Sequence, residues 1–283
     1  LLTEARVLCD YLSKIILPRA SGLSLFHDDF QLSTSLLNPI STLLAAIVLV
    51  VLLVIAILVR KKQPMLLFAV GWFLIGHLLE STLIPLEIYF EHRNYLPMLG
   101  PIIFLSYMLI KVLGRAFSET PAFQSLVLLV IIALQAMMLN ISARTWGDTG
   151  LLFYSWAIEH PDSLRSQRNY AAYLERAGLP NHAIKVLDAA YEVHPYDVSL
   201  PLAKLNIQCD QMDEGAVKID KIINAHGGAR FTDGVLYHLE KLTEKVLAAD
   251  CQDISVDDLH RLYGYIESLP LLDGKGRYAA KLY

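Results

Sequence analysis

The run ISTLLAAIVLVVLLVIAILV, Ile40 to Val59, is twenty residues long and carries no charge. As an α-helix it is about 30 Å long, the thickness of a bilayer's hydrocarbon core. Arg60, Lys61 and Lys62 follow at once. A basic triplet at the end of a span marks its cytoplasmic side, so this stretch sets both the fold class and the orientation of the chain.

Working outward toward the C-terminus, Met65 to Leu79 is apolar but shorter and contains Gly71, Gly76 and His77. It is predicted to be a close-packed helix that returns the chain, with His77 hydrogen-bonded to a neighbouring helix. Pro101 to Leu113 forms the core of a third span starting near Tyr95, with Lys111 and Arg115 at its far end, and Phe123 to Ile141 forms a fourth. Between the second and third spans lies LESTLIPLEIYFEHRNYLPMLGP, Leu79 to Pro101, with Glu80, Glu87, Glu91, His92 and Arg93 between apolar runs. Lipid does not accept such a cluster unpaired, which places it at a membrane surface facing protein or water.

Toward the N-terminus, Leu1 to Leu17 shows a helical stripe of Val7, Leu8, Tyr11, Leu12, Ile15 and Ile16, with Glu4, Arg6, Asp10 and Lys14 on the other face. It is predicted to be an amphipathic helix lying at the interface. Pro18 stops it, and the polar loop SGLSLFHDDFQLSTS follows. Its His27, Asp28 and Asp29 suit a divalent cation or a sugar hydroxyl, though for an isolated HDD a solvated turn or helix cap is the better reading.

The composition agrees with this division: 54% of the 283 residues are hydrophobic, concentrated in the first half, and the mean hydropathy is +0.42. The chain reads as an integral membrane protein with a soluble tail. A net charge of −4 and a pI near 6.1 supply no basic field, so nucleic acid is excluded as a partner. Cys9, Cys209 and Cys251 are far apart, odd in number and without CxxC spacing, and read as packing residues with no disulfide framework. The start LLTEARV and the end KGRYAAKLY read as cut ends of a longer protein.

From about Thr145 the residues mix polar and apolar with helical periodicity. Pro161 and Pro195 are 34 residues apart, the tetratricopeptide period. Between them Tyr170, Ala171, Leu174, Ala183, Leu187, Ala190 and Pro195 occupy the motif's seven positions, and Gln167 stands at its usual Trp. Small residues let paired helices approach and large ones fill the gaps. One repeat cannot bury its own face, so neighbours must stack. The fold class is therefore all-α: a polytopic transmembrane helix bundle followed by a tetratricopeptide-like α-solenoid. Residues 1–35 form the interfacial helix and non-cytoplasmic loop, 36–144 the transmembrane domain of about four spans, and 145–283 the repeat domain. Even span counting puts the HDD loop, the Glu80 to Leu96 loop and the repeat domain on one non-cytoplasmic face.

The order of parts, with Glu91, His92, Arg93, Tyr95, Leu96 and Pro97 in a non-cytoplasmic loop and then Arg144, Trp146 and repeats, resembles the C-terminal part of membrane O-mannosyltransferases with tetratricopeptide repeats and their bacterial relatives. The resemblance covers nearly the whole chain and is most specific in the repeat. It implies a C-type glycosyltransferase fold that moves sugar from a polyprenyl-phosphate donor to a protein hydroxyl. It also implies a catalytic acidic residue in a first luminal loop preceding Leu1.

Such chemistry needs a cation for the departing lipid phosphate, and Arg93, helped by His92 and Tyr95, fits that role. Glu87 and Glu91 are placed to hold Arg93 or contact the sugar, alongside Asp28 and Asp29 as substrate-binding candidates. The competing structural reading is an interfacial ion-pair network of Glu80, Glu87, Glu91 and Arg93. Two functions follow: a glycosyltransferase whose solenoid recruits the acceptor protein, or a membrane-anchored scaffold for envelope or pilus assembly proteins that catalyses nothing. The expected partners are membrane lipid and an acceptor protein. The expected location is the bacterial inner membrane with the repeat domain in the periplasm; the endoplasmic reticulum lumen is the eukaryotic equivalent.

Overall fold

A computed structural model of the chain describes residues 2–19, 24–82, 89–211, 219–224, 228–251 and 253–270. Glu87 lies outside the described residues. The described residues are all helical apart from loops and one isolated parallel bridge between Asp197 and Arg230. The chain divides into two compact units, Leu1–Asp148 and Thr149–Tyr283.

The first unit contains α1 (Leu2–Ile16), α2 (Ser41–Leu58), α3 (Pro64–Thr82), a 3₁₀ turn η1 (Glu91–Asn94), α4 (Leu99–Ala116) and α5 (Pro121–Gly147). Three of these, α2, α4 and α5, are long and apolar enough to cross a membrane; the apolar part of α3 is the shorter Pro64–Leu78. The helix expected between the first and third spans is thus present. Its far end gives way to the polar residues Glu80, Ser81 and Thr82 before a further membrane-length run accumulates.

The apolar stripe of α1 is covered by protein from Val7 to Ile15, while Ile16 is exposed. Val7, Leu8 and Tyr11 are buried with Phe73 of α3 and Tyr89, and Leu12, Ile15, Phe30, Leu49 and Leu74 pack around them. Burial of each large side chain contributes about 1.5–3 kcal/mol, so this stripe fixes α1 across the bundle. Two glycines allow α3, η1 and α4 to close up. A Cβ on Gly76 would lie 2.9 Å from Cγ of Pro97, and one on Gly100 would lie 2.9 Å from Cβ of Trp72. Pro97 and α4 therefore sit directly on α3, which sets the height of the Glu91 turn.

The second unit contains α6 (Thr149–Glu159), α7 (Leu164–Arg176), α8 (Pro180–Val193), α9 (Ser199–Gln211), α10 (Ile219–Ile223), α11 (Asp233–Leu247) and α12 (Val256–Glu267). Helix α6 packs on α7, α7 on α8, α8 on α9, and α9 on α11; α10 and α11 both touch α12. Ala171, Leu174, Ala183, Leu187 and Ala190 are buried in one cluster with Leu200, Ala203 and Ile207. The alanines bring the helices together, and the leucines fill the space between them. Gln167 donates from Nε2 to the carbonyls of Ala157 (2.9 Å) and Pro161 (3.2 Å), tying the start of α7 to the end of α6.

The cysteine reading is corrected here. Cys209 of α9 and Cys251, just beyond α11, form a disulfide with their Cα atoms 4.9 Å apart. The two residues are 42 apart in sequence, and the packing of α11 against α9 creates the pairing. No local spacing records it. Cys9 remains a free thiol, with Sγ 3.6 Å from the Ala45 carbonyl.

Candidate functional site

The Glu91 turn is fixed from three directions. The Tyr11 hydroxyl of α1 donates to the Phe90 carbonyl (2.9 Å) and accepts from the Phe90 N–H (3.1 Å), so both backbone polar groups of Phe90 are satisfied by one side chain. Asn94 is buried, with Oδ1 3.3 Å from Nε2 of His77. Trp72 Nε1 donates to the Leu96 carbonyl at 2.9 Å. His77 also stacks on Tyr11, ring centroids 5.5 Å apart, and meets Phe73 edge-on at 4.8 Å. His77, expected to bond a neighbouring helix, instead meets Asn94 of the 3₁₀ turn.

Charge gathers at the start of η1. Lys14 of α1 donates from Nζ to Glu91 Oε1 (2.6 Å) and to the Tyr89 hydroxyl (2.7 Å), and Asp10 Oδ2 lies 3.5 Å from the same nitrogen. Tyr89 in turn donates to Asp10. His27, from the polar loop, stacks flat on Tyr89 with centroids 3.9 Å apart, and its Nε2 is 3.5 Å from Glu91 Oε1. Burial, the hydrogen bond to Asp10 and the carboxylates of Asp10 and Glu91 push the Tyr89 phenol well above its ordinary range. Tyr89 is thus a neutral hydroxyl relaying between Asp10 and Lys14.

This cluster opens onto a cavity of about 830 Å³. Tyr11, Lys14, Glu91, Asn94, Tyr95 and Trp146 line one part, and Ile102, Leu105, Ser106, Leu109, Ile131 and Gln135 of α4 and α5 line another. Among the described residues around it, Lys14 and Glu91 are the charged ones. Ile102 and Leu109 are seven residues apart on α4, so the cavity follows that helix for about 10 Å. A smaller apolar pocket of about 140 Å³ shares Ile15, Ile16 and Leu105 with it. The whole is an amphipathic slot, charged where η1 meets α1 and mainly apolar, with Ser106 and Gln135, along two membrane-length helices.

The residues singled out from sequence distribute as follows. Glu91 and Tyr95 line the cavity. His92 lies edge-on to Phe90, centroids 4.4 Å apart, and the Arg93 guanidinium sits 5.5 Å from the same ring's centroid; neither lines the cavity. In a 3₁₀ turn, side chains two apart point about 120° away from each other, which separates Arg93 from Glu91. Asp28 and Asp29 form a turn directly after His27. Sequence reasoning did not select Lys14, Tyr89, Asn94 or Trp146. Lys14 belongs to the polar face of a helix one turn from Asp10, a pattern shared by any solvated amphipathic helix.

No known protein family, curated protein or solved structure matches the chain.

Proposed function

We propose that this chain is the C-terminal part of a membrane glycosyltransferase whose lipid-linked sugar donor lies in the amphipathic cavity, and whose second unit is a tetratricopeptide-like solenoid that recruits the acceptor protein. The single observation that carries the proposal is the cavity itself. It joins a lysine and aromatic rings at one end to a mainly apolar wall on α4 and α5, about 10 Å long on α4. A polyprenyl phosphate sugar has that same division into an anionic and hydroxylated head and a long hydrocarbon chain.

In the reaction, an acceptor hydroxyl attacks the anomeric carbon, and the bond to the lipid phosphate breaks with its electron pair leaving on the phosphate oxygen. The hydroxyl proton passes to a carboxylate acting as general base. Lys14 supplies positive charge where the phosphate leaves. Tyr95 and Trp146 are 65% and 50% exposed and offer ring faces to the sugar. The Cys209–Cys251 disulfide supports an oxidising, non-cytoplasmic location for the second unit. The successive packing of α6 to α9 and the burial of the motif alanines and leucines support the solenoid reading.

The test is mass spectrometry of envelope proteins from cells carrying the full-length gene, a deletion, or Lys14→Met. A hexose-type mass on serine or threonine should vanish in the deletion and fall at least tenfold in Lys14→Met, with the variant still inserted in membranes. Glycan masses unchanged by the deletion would overturn the proposal in favour of the non-catalytic scaffold.

A further inference from the structure

The cavity offers an anionic head group one lysine, and that lysine is already taken. Lys14 Nζ is 2.6 Å from Glu91 Oε1, and the two side chains are only 27% and 18% exposed. Among the described residues, Tyr89, Asp10 and His27 also face this pair: the Tyr89 hydroxyl bonds both Lys14 and Asp10, and Asp10 lies 3.5 Å from Lys14. A phosphate entering here meets a neutralised lysine flanked by two carboxylates, and binds well only if one of them moves.

Glu91 is the one built to move. Asp10 is held by Tyr89, whereas the Glu91 side chain stands on a backbone anchored independently through Phe90 and Asn94. A short rotation away from Lys14 leaves that backbone in place. A second partner is in reach: His27 Nε2 lies 3.5 Å from the same Oε1 and is held against Tyr89 by stacking. We infer that Glu91 is an exchangeable counter-ion, paired with Lys14 when the cavity is empty and displaced toward His27 when the phosphate of a single-chain lipid monophosphate takes Lys14. This rests on the lipid-donor reading of the cavity and adds to it a built-in competitor. No covalent bond changes; one oxyanion replaces another on the ammonium. The exchange keeps Lys14 neutralised in both states, so the lysine is never left bare at the membrane boundary.

The inference makes the two partners of one ion pair behave oppositely. The chain is reconstituted in phosphatidylcholine nanodiscs and titrated with radiolabelled farnesyl monophosphate, with farnesol and inorganic phosphate as arms lacking the charge or the tail. Lys14→Gln should weaken binding of the monophosphate at least tenfold, and Lys14→Arg should hold it within about threefold. Glu91→Gln removes the competitor and should tighten binding by about fivefold, the order expected of a partly exposed ion pair. Glu91→Asp withdraws the carboxylate by one methylene and should tighten it by a smaller factor, and it serves if the glutamine variant does not fold. Arg115→Gln, on α4 and outside the cavity lining, controls for bulk charge and should change nothing. Farnesol and inorganic phosphate should each bind far more weakly than farnesyl monophosphate. Saturable binding to the wild-type chain that is unchanged or weakened by both Glu91 variants would overturn the exchange while leaving the lipid site standing. Absence of saturable binding in every variant would overturn both.

Discussion

Breaking the Cys209–Cys251 bond should cost the second unit about 4 kcal/mol. The two residues are 42 apart in sequence, and cross-linking a loop of that length removes about 13 cal/mol/K of entropy from the unfolded chain. Both cysteines are buried in the cluster that also contains Leu205, Leu242 and Leu262, so the bond ties α9 to the segment after α11 through the centre of the packing. For a unit of this size the loss corresponds to a fall in melting temperature on the order of 12 °C. The assay is thermal unfolding of the purified chain with and without a phosphine reductant, beside a Cys209→Ser/Cys251→Ser double variant. The wild-type chain should melt lower in reductant, and the double variant should match reduced wild type and ignore the reductant. Hydrogen exchange should quicken in α9 and α11 and stay unchanged in α2. Denatured, unreduced chain should show one reactive thiol, Cys9. Three reactive thiols, or identical melting with and without reductant, would refute the reasoning.

Three further outcomes follow from the described packing. Asp197 is fully buried; it accepts from Arg168 (2.5 Å), from the Ser199 N–H (2.9 Å) and from the Thr232 hydroxyl (2.8 Å). Arg168→Met should therefore cost about 3–5 kcal/mol by chemical denaturation, and Arg168→Met/Asp197→Leu should recover part of it. Burial, with Arg168 and Lys241 nearby, holds His238 down to about 3 from an ordinary 6.5. Its contribution is fully present above pH 6.5 and is lost as pH falls toward 3, at up to about 1.4 kcal/mol per pH unit. The difference in stability between wild type and His238→Leu should follow that slope, and a difference independent of pH would contradict it. Gly76→Ala forces a methyl group against Pro97 and should destabilise the first unit by about 1–3 kcal/mol, measured as lowered detergent-extracted melting temperature.

Much of the helical framework was legible in the sequence because it follows local pattern. The uncharged run from Ile40 declares a helix, and the stripe from Val7 to Ile16 and the alternation of small and large residues from Ala171 to Ala190 each declare a helix and its buried face within a few turns. The site was only half legible. Glu91 and Tyr95 stood out because charge and tyrosine beside apolar runs are costly to place. Lys14 did not, since its bond to Glu91 spans 77 residues and arises from α1 packing against α2 and the Tyr89–Phe90 segment, a tertiary arrangement that no local spacing encodes. The same holds for Cys209 and Cys251. Arg93 was the obvious phosphate ligand by chemistry alone, and the 3₁₀ turn directs it to Phe90 instead of the cavity.

The most direct measurement of the central proposal is native mass spectrometry of the full-length protein extracted gently from the cells that make it, with the bound lipid released and identified. An isoprenoid monophosphate, free or sugar-linked, should accompany the wild-type protein at near-unit occupancy and be lost from Lys14→Gln. Bulk phospholipid alone, retained equally by both proteins, would contradict a lipid-linked sugar donor in this cavity.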